Sequence, residues 1–176
     1  MYYLNLKIKN HEHTLLFDFS VNKENKTIHV KREFAGDLNL VWKAWTDAEI
    51  LDQWWAPKPW KAETKSMNFT EGGRWLYAMV GPEGEKHWSV ADYKKINPSK
   101  SFTALDGFSD ENGVVSSEMP RSEWENNFNE TGSNTTVDIT ISFEKLEDLE
   151  KLIEMGFKEG FTMGMENLDE LLPTLK

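Results

Sequence analysis

The sequence predicts an α+β fold in which a long C-terminal helix covers one face of an antiparallel sheet, and three observations lead to this class. Short strand-like segments joined by polar turns occupy residues 60–144. Two short, tryptophan-rich helical segments precede them within residues 36–55, and one amphipathic helical pattern follows from about residue 145. Consecutive strands joined by short turns pair antiparallel, and the apolar face of such a sheet needs cover. The last helix is expected to provide that cover.

Composition narrows the class of protein before any motif is considered. The chain has 176 residues, which suit one domain, a formal charge of −10 and no cysteine. The acidic balance argues against nucleic acid as a partner, because nucleic-acid binding needs a basic stripe. The absence of cysteine excludes disulfides and fits a reducing, cytoplasmic location. No apolar run approaches the roughly 20 residues of a membrane span, and the N-terminus lacks the pattern of a secretion signal. Membrane insertion is therefore not expected.

Residues 1–26 differ from the rest and are predicted to be an N-terminal extension, forming an extra strand or hairpin before a domain over residues 27–176. "YLNLKIKN" and "TLLFDFSV" are strand-like, and "NKENK" is typical of a polar turn. His11 and His13 in "HEH" have a spacing that some metal sites use. Because no further histidine or cysteine accompanies them, neither a metal site nor a cofactor is predicted.

The domain is predicted to begin with a strand and two short helices. "TIHVKREF" alternates in the way a strand does, with Ile28 and Val30 on one face. Asp37 and Asp47 each precede a helical pattern and are candidate N-caps. The tryptophans of these helices, such as Trp54, are expected to pack inward. The prolines of "APKPW" end the helical region.

An antiparallel meander is predicted next, in the segments "WKAETKSMNF", "RWLYAMV", "HWSVADYKKI", "SFTALDGF", "RSEWENNF" and "TTVDITISF". Gly- and Pro-containing turns such as "TEGG", "GPEGEK" and "NPSK" separate them. Side chains alternate across a strand, so Trp75, Tyr77 and Met79 are expected to share one face.

The final segment, from about residue 145 to 175, is predicted to be a single amphipathic helix with Gly156, Gly160 and Gly164 at the centre of its buried face. A glycine inside a helix costs about 1 kcal/mol relative to alanine. A buried row of glycines indicates either that the helix backbone approaches the sheet closely or that open volume lies beneath it. Phe157 and Phe161 project beside the row and favour open volume.

Three stretches resemble a known family: "VKREFAGDLNLVWKAWTDAEILDQWWAP", "FTEGGRWLYAMVGPEGE" and "MGFKEGFTMGMENLDELL". They are similar to the START-like (SRPBCC) superfamily and, within it, to the AHSA-like family named for homology to the activator of the heat-shock-protein-90 ATPase. The resemblance covers about residues 27–173. It implies the helix-grip (START/Bet v-like) fold, in which a curved antiparallel sheet wraps around the long C-terminal helix and encloses a cavity. In the superfamily that cavity often takes an apolar small molecule. Some relatives bind lipids or polyketides, a few catalyse cyclisation or hydrolysis, and some act as chaperone partners.

Aromatic and small residues near the expected cavity are the candidate ligand-binding residues. The predicted set is Trp55, Trp75, Tyr77, Met79, Trp88, Phe108, Trp124, Phe157, Gly160 and Phe161. Aromatic side chains bury large apolar areas, so packing in the core is the alternative role for each.

No catalytic motif is present, and His87 and Asp106 are the candidates for acid–base chemistry. Asp106 lies in the mostly apolar strand "SFTALDGF" and shares its parity with Phe102 and Phe108. It is therefore the best candidate for a buried acid with a raised pKa, the alternative being a solvated edge residue. His87 begins a strand beside Trp88 and would be a polar anchor or a general base if it faced the cavity.

Three functions are compatible with the sequence. The favoured one is binding of an apolar or amphipathic small molecule, or a lipid, by a monomer or weak homodimer. The second is a cyclase- or hydrolase-type enzyme, which requires His87, Asp106 and Tyr77 to converge inside the cavity. The third is an interaction role as a chaperone cofactor or stress-linked accessory protein, which requires an exposed docking patch.

Overall fold

The structure of the protein is a computed structural model that describes residues 15–175. Its central element is an eight-stranded antiparallel sheet. The strands are β1 Phe17–Asn22, β2 Thr27–Phe34, β3 Lys61–Met67, β4 Arg74–Val80, β5 Lys86–Asn97, β6 Ser101–Ser109, β7 Arg121–Thr131 and β8 Asn134–Ser142. The helices are α1 Leu38–Thr46, α2 Ala48–Leu51, α3 Leu146–Glu154 and α4 Phe157–Leu171, followed by a short 3-10 helix, Leu172–Thr174.

The order of the strands in the sheet is β1-β2-β8-β7-β6-β5-β4-β3. Strands β3 to β8 form the predicted meander, and β2 pairs with β8. The register shifts between Thr64 and Ser66 in β3 and between Tyr93 and Ile96 in β5. Such irregularities bend a strand and increase its twist, so the sheet curves around the helices. The predicted α+β helix-grip fold is confirmed.

The two short helices begin where their capping residues predict. The Asp37 side chain accepts a hydrogen bond from the Leu40 backbone N–H at 2.8 Å. The Asp47 side chain accepts one from the Glu49 N–H at 3.0 Å, which satisfies a donor at the start of α2. Trp54 is 1% exposed, as its helical spacing predicted.

Part of the N-terminal extension is a strand. Strand β1 forms a hairpin with β2, and Phe17 stands opposite Arg32 in the register. Residues 17–22 therefore form an edge strand of the sheet. The segment "YLNLKIKN", His11 and His13 lie outside the described residues.

The prediction of one continuous C-terminal helix is wrong. The chain forms α3 and α4, and the break lies at Met155 and Gly156. Gly156 has a φ of +88°, in the left-handed region that residues with a side chain avoid. Its glycine is therefore required by the backbone of the break, and it does not belong to the buried face of a longer helix.

The apolar core lies between the inner face of the sheet and helices α1, α2, α3 and α4. Among its fully buried side chains are Phe34, Val41, Ile139, Leu149 and Met165. Within residues 15–175, none of the helices combines the length and the apolar character that crossing a membrane demands.

Candidate functional site

A cavity of about 280 Å³ lies between the sheet and the two C-terminal helices. Strands β4 to β7 supply its floor, the segment after α2 supplies one wall through Trp55 and Pro57, and α3 and α4 supply the roof. The break at Gly156 is part of the lining. The left-handed turn therefore lets α3 and α4 cover the cavity as two separate pieces.

Most of the predicted ligand-binding residues line this cavity, namely Trp55, Tyr77, Met79, Phe108, Trp124, Phe157, Gly160 and Phe161. His87 and Asp106 line it as well. The residues predicted from the sequence therefore include side chains of four strands, a loop and a helix that meet in one cavity. Sequence reasoning missed Pro57, Ser89, Ser122 and Leu152, which also line it. The signal for the two serines was available, because Ser122 shares its parity with Trp124 and Ser89 shares its parity with His87.

The structure places Trp75 and Trp88 elsewhere. The ring of Trp75 stacks on that of Tyr77, with 3.9 Å between centroids, and lies behind the cavity wall. Trp88 lies on the opposite face of the sheet, beneath the ammonium groups of Lys65 and Lys86 at 5.7 and 5.8 Å. The reason is the register: Tyr77 stands opposite Ser89, so Ser89 points inward and Trp88 points outward.

Glycine occupies positions 160 and 164 of α4 for two different structural reasons. A Cβ at Gly160 would lie 3.7 Å from the nearest side-chain atom, in Pro57, so this glycine leaves room beside the cavity. A Cβ at Gly164 would lie 3.2 Å from the Trp55 carbonyl oxygen and 3.3 Å from that of Trp54. Close backbone approach therefore explains Gly164, and open volume explains Gly160.

Aromatic rings hold one another in the wall of the cavity. The ring of Trp55 lies 6.0 Å from that of Trp124 and 5.8 Å from that of Phe161, between centroids. Phe157 stacks on Phe161 at 5.4 Å. The Trp55 Nε1–H donates a hydrogen bond to the Tyr77 hydroxyl at 3.0 Å. The wall is therefore preformed and apolar, and this donor already has a partner.

Asp106 is the acidic group of the cavity. Its carboxyl makes no hydrogen bond and no ion pair with any residue in the range 15–175, and the residue is half-buried in the cavity lining. Burial raises its pKa well above the usual range, the charge of Asp92 raises it further, and Arg121 offsets part of the effect. Burial and the proximity of Asp106 also raise the pKa of Tyr77. These shifts favour the neutral forms of both groups.

A second, smaller space of about 30 Å³ lies behind the cavity, and we call it the inner chamber. Trp55, Asp106 and Trp124 line both spaces and form their common wall. Trp45 and Asn126 line the chamber but not the cavity, and their side chains are buried, at 3% and 2% exposure. The Nε1–H of Trp45 and the Oδ1 of Asn126 have no hydrogen-bond partner among residues 15–175. A buried polar atom without a partner costs about 1–3 kcal/mol, so these two atoms carry a stability cost within a mostly apolar lining.

His87 lies at an exposed position of the cavity lining, and its ring contacts that of Trp60 in a tilted arrangement, with 5.4 Å between centroids. His87, Asp106 and Tyr77 all line the same cavity, as the enzyme hypothesis requires. No hydrogen bond joins any two of these three residues. Within the described part of the chain, no group of three or more metal-ligating side chains comes together.

Comparison with known proteins places the chain in context. A family model described as activator of Hsp90 ATPase homolog 1-like protein matches residues 36–173. A protein from Arthrobacter aurescens has a similar solution structure, with 29% identity, a TM-score of 0.84, and coverage of 89% of this chain and 91% of that one. The crystal structure of Ms6760 from Mycobacterium smegmatis is similar at 27% identity, with a TM-score of 0.82 and coverage of 90% and 97%. No curated protein matches the sequence.

Proposed function

The chain belongs to the family of activator of Hsp90 ATPase homolog 1-like proteins, and from this premise we propose that it binds an apolar or amphipathic small molecule in its cavity. The observation that carries the proposal is a cavity of about 280 Å³ walled by interlocked aromatic rings. Ligand sites are typically concave and mostly apolar, with few polar groups that fix orientation. Tyr77, Ser89 and Asp106 are such groups here.

The test is a thermal-shift panel of neutral aromatic compounds and lipids, after native mass spectrometry of freshly purified protein. A ligand at 100 times its Kd stabilises the folded state by about 2.7 kcal/mol. For a domain of this size that corresponds to a rise in Tm of about 5–10 °C. A co-purifying non-protein mass, or a panel member with such a shift, supports the proposal.

A matched pair of variants ties the shift to the cavity. Gly160→Leu places a side chain beside Pro57 in the lining and is expected to abolish the ligand-induced shift. Met163→Leu introduces the same residue on α4 at a side chain that is 40% exposed, and is expected to preserve the shift. If no compound shifts the Tm of the unaltered protein and no extra mass is found, the proposed function is wrong.

An enzymatic role is the second candidate, because Asp106, His87 and Tyr77 line one cavity. The protonated Asp106 carboxyl would act as a general acid towards a bound ester or epoxide, with water as the nucleophile. Turnover of such substrates that disappears in Asp106→Asn supports this role, and binding without turnover leaves the protein a binding protein.

A chaperone-related interaction is suggested by the family description alone, and stimulation of an Hsp90 ATPase tests it.

A further inference from the structure

The inner chamber combines polar atoms that no packing requirement explains. Trp45 and Asn126 belong to α1 and β7, so tertiary folding brings them to one space of about 30 Å³. The Nε1–H of Trp45 is a donor, the Oδ1 of Asn126 is an acceptor, and both lack a partner within residues 15–175. Most buried polar groups in folded proteins are satisfied. Two residues that line one chamber and carry unsatisfied atoms of opposite character therefore indicate a site for a group that both accepts and donates.

We propose that the inner chamber, with Asp106 in its common wall with the cavity, is a subsite for a neutral hydroxyl-bearing end of the ligand. This inference deepens the proposed function and rests on it. The hydroxyl oxygen of the ligand would accept a hydrogen bond from the Trp45 Nε1–H, and the hydroxyl group would donate one to the Asn126 Oδ1. The Asp106 carboxyl, which also has no partner in the described chain, lies where the apolar cavity meets the chamber.

Charge limits the class of ligand further. Among the described residues, no lysine or arginine lines the cavity or the chamber, and the histidine of the lining, His87, lies at an exposed position. Asp106 lines both spaces. A buried anion without a cationic partner is strongly unfavourable. The ligand is therefore an aromatic or alicyclic molecule with a neutral hydroxyl at one end, and fatty acids or other carboxylates are excluded. A volume of about 30 Å³ accommodates a group of the size of a water molecule, so a single ligand hydroxyl fits there.

Three probes that share one ring system separate the effect of a hydroxyl group from that of a negative charge: 2-naphthol, naphthalene and 2-naphthoate. Each is titrated into the protein at neutral pH, and binding is followed by thermal shift and NMR. Two additional hydrogen bonds are expected to make 2-naphthol bind about tenfold more tightly than naphthalene. 2-Naphthoate is expected to bind more weakly than both. The indole N–H signal of Trp45, assigned with Trp45→Phe, is expected to move downfield with 2-naphthol and not with naphthalene.

Asn126→Leu tests the acceptor and has a matched control. It is expected to reduce the preference for 2-naphthol to less than about threefold and to leave the affinity for naphthalene unchanged. Its stability without a probe is expected not to fall, because the lost Oδ1 is unpaired and the Nδ2–H bond to the Phe102 carbonyl is long, at 3.4 Å. Asn127→Leu makes the same change at the next residue, outside both spaces, and is expected to keep the preference.

Each result decides the matter. Equal affinities for 2-naphthol and naphthalene mean that the chamber holds water only, and they overturn the subsite while the proposed cavity function stands. A preference that survives Asn126→Leu unchanged, without movement of the Trp45 signal, also overturns the subsite. If no probe and no member of the wider panel binds, the proposed function fails and the subsite fails with it.

Discussion

Substituting alanine for each of the two glycines of α4 is expected to change the free energy of unfolding in opposite directions. Gly160→Ala and Gly164→Ala both add a methyl group to the same helix and both gain helix propensity, about 1 kcal/mol at most. At Gly160 the nearest side-chain atom to the new Cβ is 3.7 Å away, which is an ordinary contact. The free energy of unfolding of Gly160→Ala is therefore expected to rise by about 0.5–1 kcal/mol.

At Gly164 the same methyl group meets the carbonyl oxygens of Trp55 and Trp54 at 3.2 and 3.3 Å. Backbone atoms cannot rotate away as a side chain does. This stretch is also held by the Asn167 side-chain amide, which donates to the Ala56 carbonyl at 3.0 Å. Overpacking of this kind costs about 1–3 kcal/mol. It exceeds the gain in propensity, so Gly164→Ala is expected to lose about 1 kcal/mol.

Urea unfolding of both variants measures the difference, which is expected to be about 2 kcal/mol. In thermal unfolding it corresponds to about 4–8 °C in Tm. Ligand binding provides an independent readout, because only Gly160 lines the cavity. Affinity for a cavity-filling probe should change in Gly160→Ala and not in Gly164→Ala. If Gly164→Ala is as stable as Gly160→Ala, the close approach between α4 and the Trp54–Trp55 backbone is refuted.

Three other changes follow from the same geometry. Gly156→Ala forces a side chain into a φ of +88°, and thermal unfolding should show a loss of about 1–2 kcal/mol; no loss would mean that the break relaxes. Asp106→Asn should stabilise the protein at neutral pH. Because the pKa of Asp106 is higher in the folded state, the unfolded state releases this proton first, and the free energy of unfolding of the unaltered protein falls as pH rises from about 3.8 towards the raised pKa. Unfolding curves from pH 4 to 8 should be flatter in the variant, and parallel curves would contradict the burial. Asp37→Ala removes the cap on the Leu40 N–H and should cost about 1 kcal/mol in urea unfolding, with Asp37→Asn retaining most of it.

Local periodicity was enough to predict the strands and which of their side chains share a face. Alternation in β4 placed Trp75 and Tyr77 on one face, and the two rings stack in the structure. The parity of Asp106 with Phe102 predicted that its carboxyl points inward, and Asp106 lines the cavity. Both inferences need only the side-chain period of a single strand.

Register and backbone conformation were not predictable from the same signals. Alternation fixes two faces for β5 but does not say which one is inner, so it could not place Trp88, whose ring lies beneath the Lys65 ammonium group in the structure. A glycine at helical spacing is compatible with a helix interior and with a break, and only the φ of Gly156 distinguishes them. The inner chamber is lined by residues of α1, α2 and the loop after it, and of β4, β5, β6 and β7. No local pattern encodes the meeting of Trp45 with Asn126.

The adjacent tryptophans after α2 explain why a cavity persists beside a dense core. The Trp54 side chain is buried in the core, and its Nε1–H donates to the Ala44 carbonyl at 2.9 Å. The next side chain, Trp55, projects into the cavity wall and meets Tyr77. Because α4 packs on the backbone of this pair at Gly164, the position of the Trp55 ring is fixed by the core. A ligand therefore meets a wall that is already ordered, and it loses less free energy to the ordering of side chains than it would in a cavity built from mobile residues.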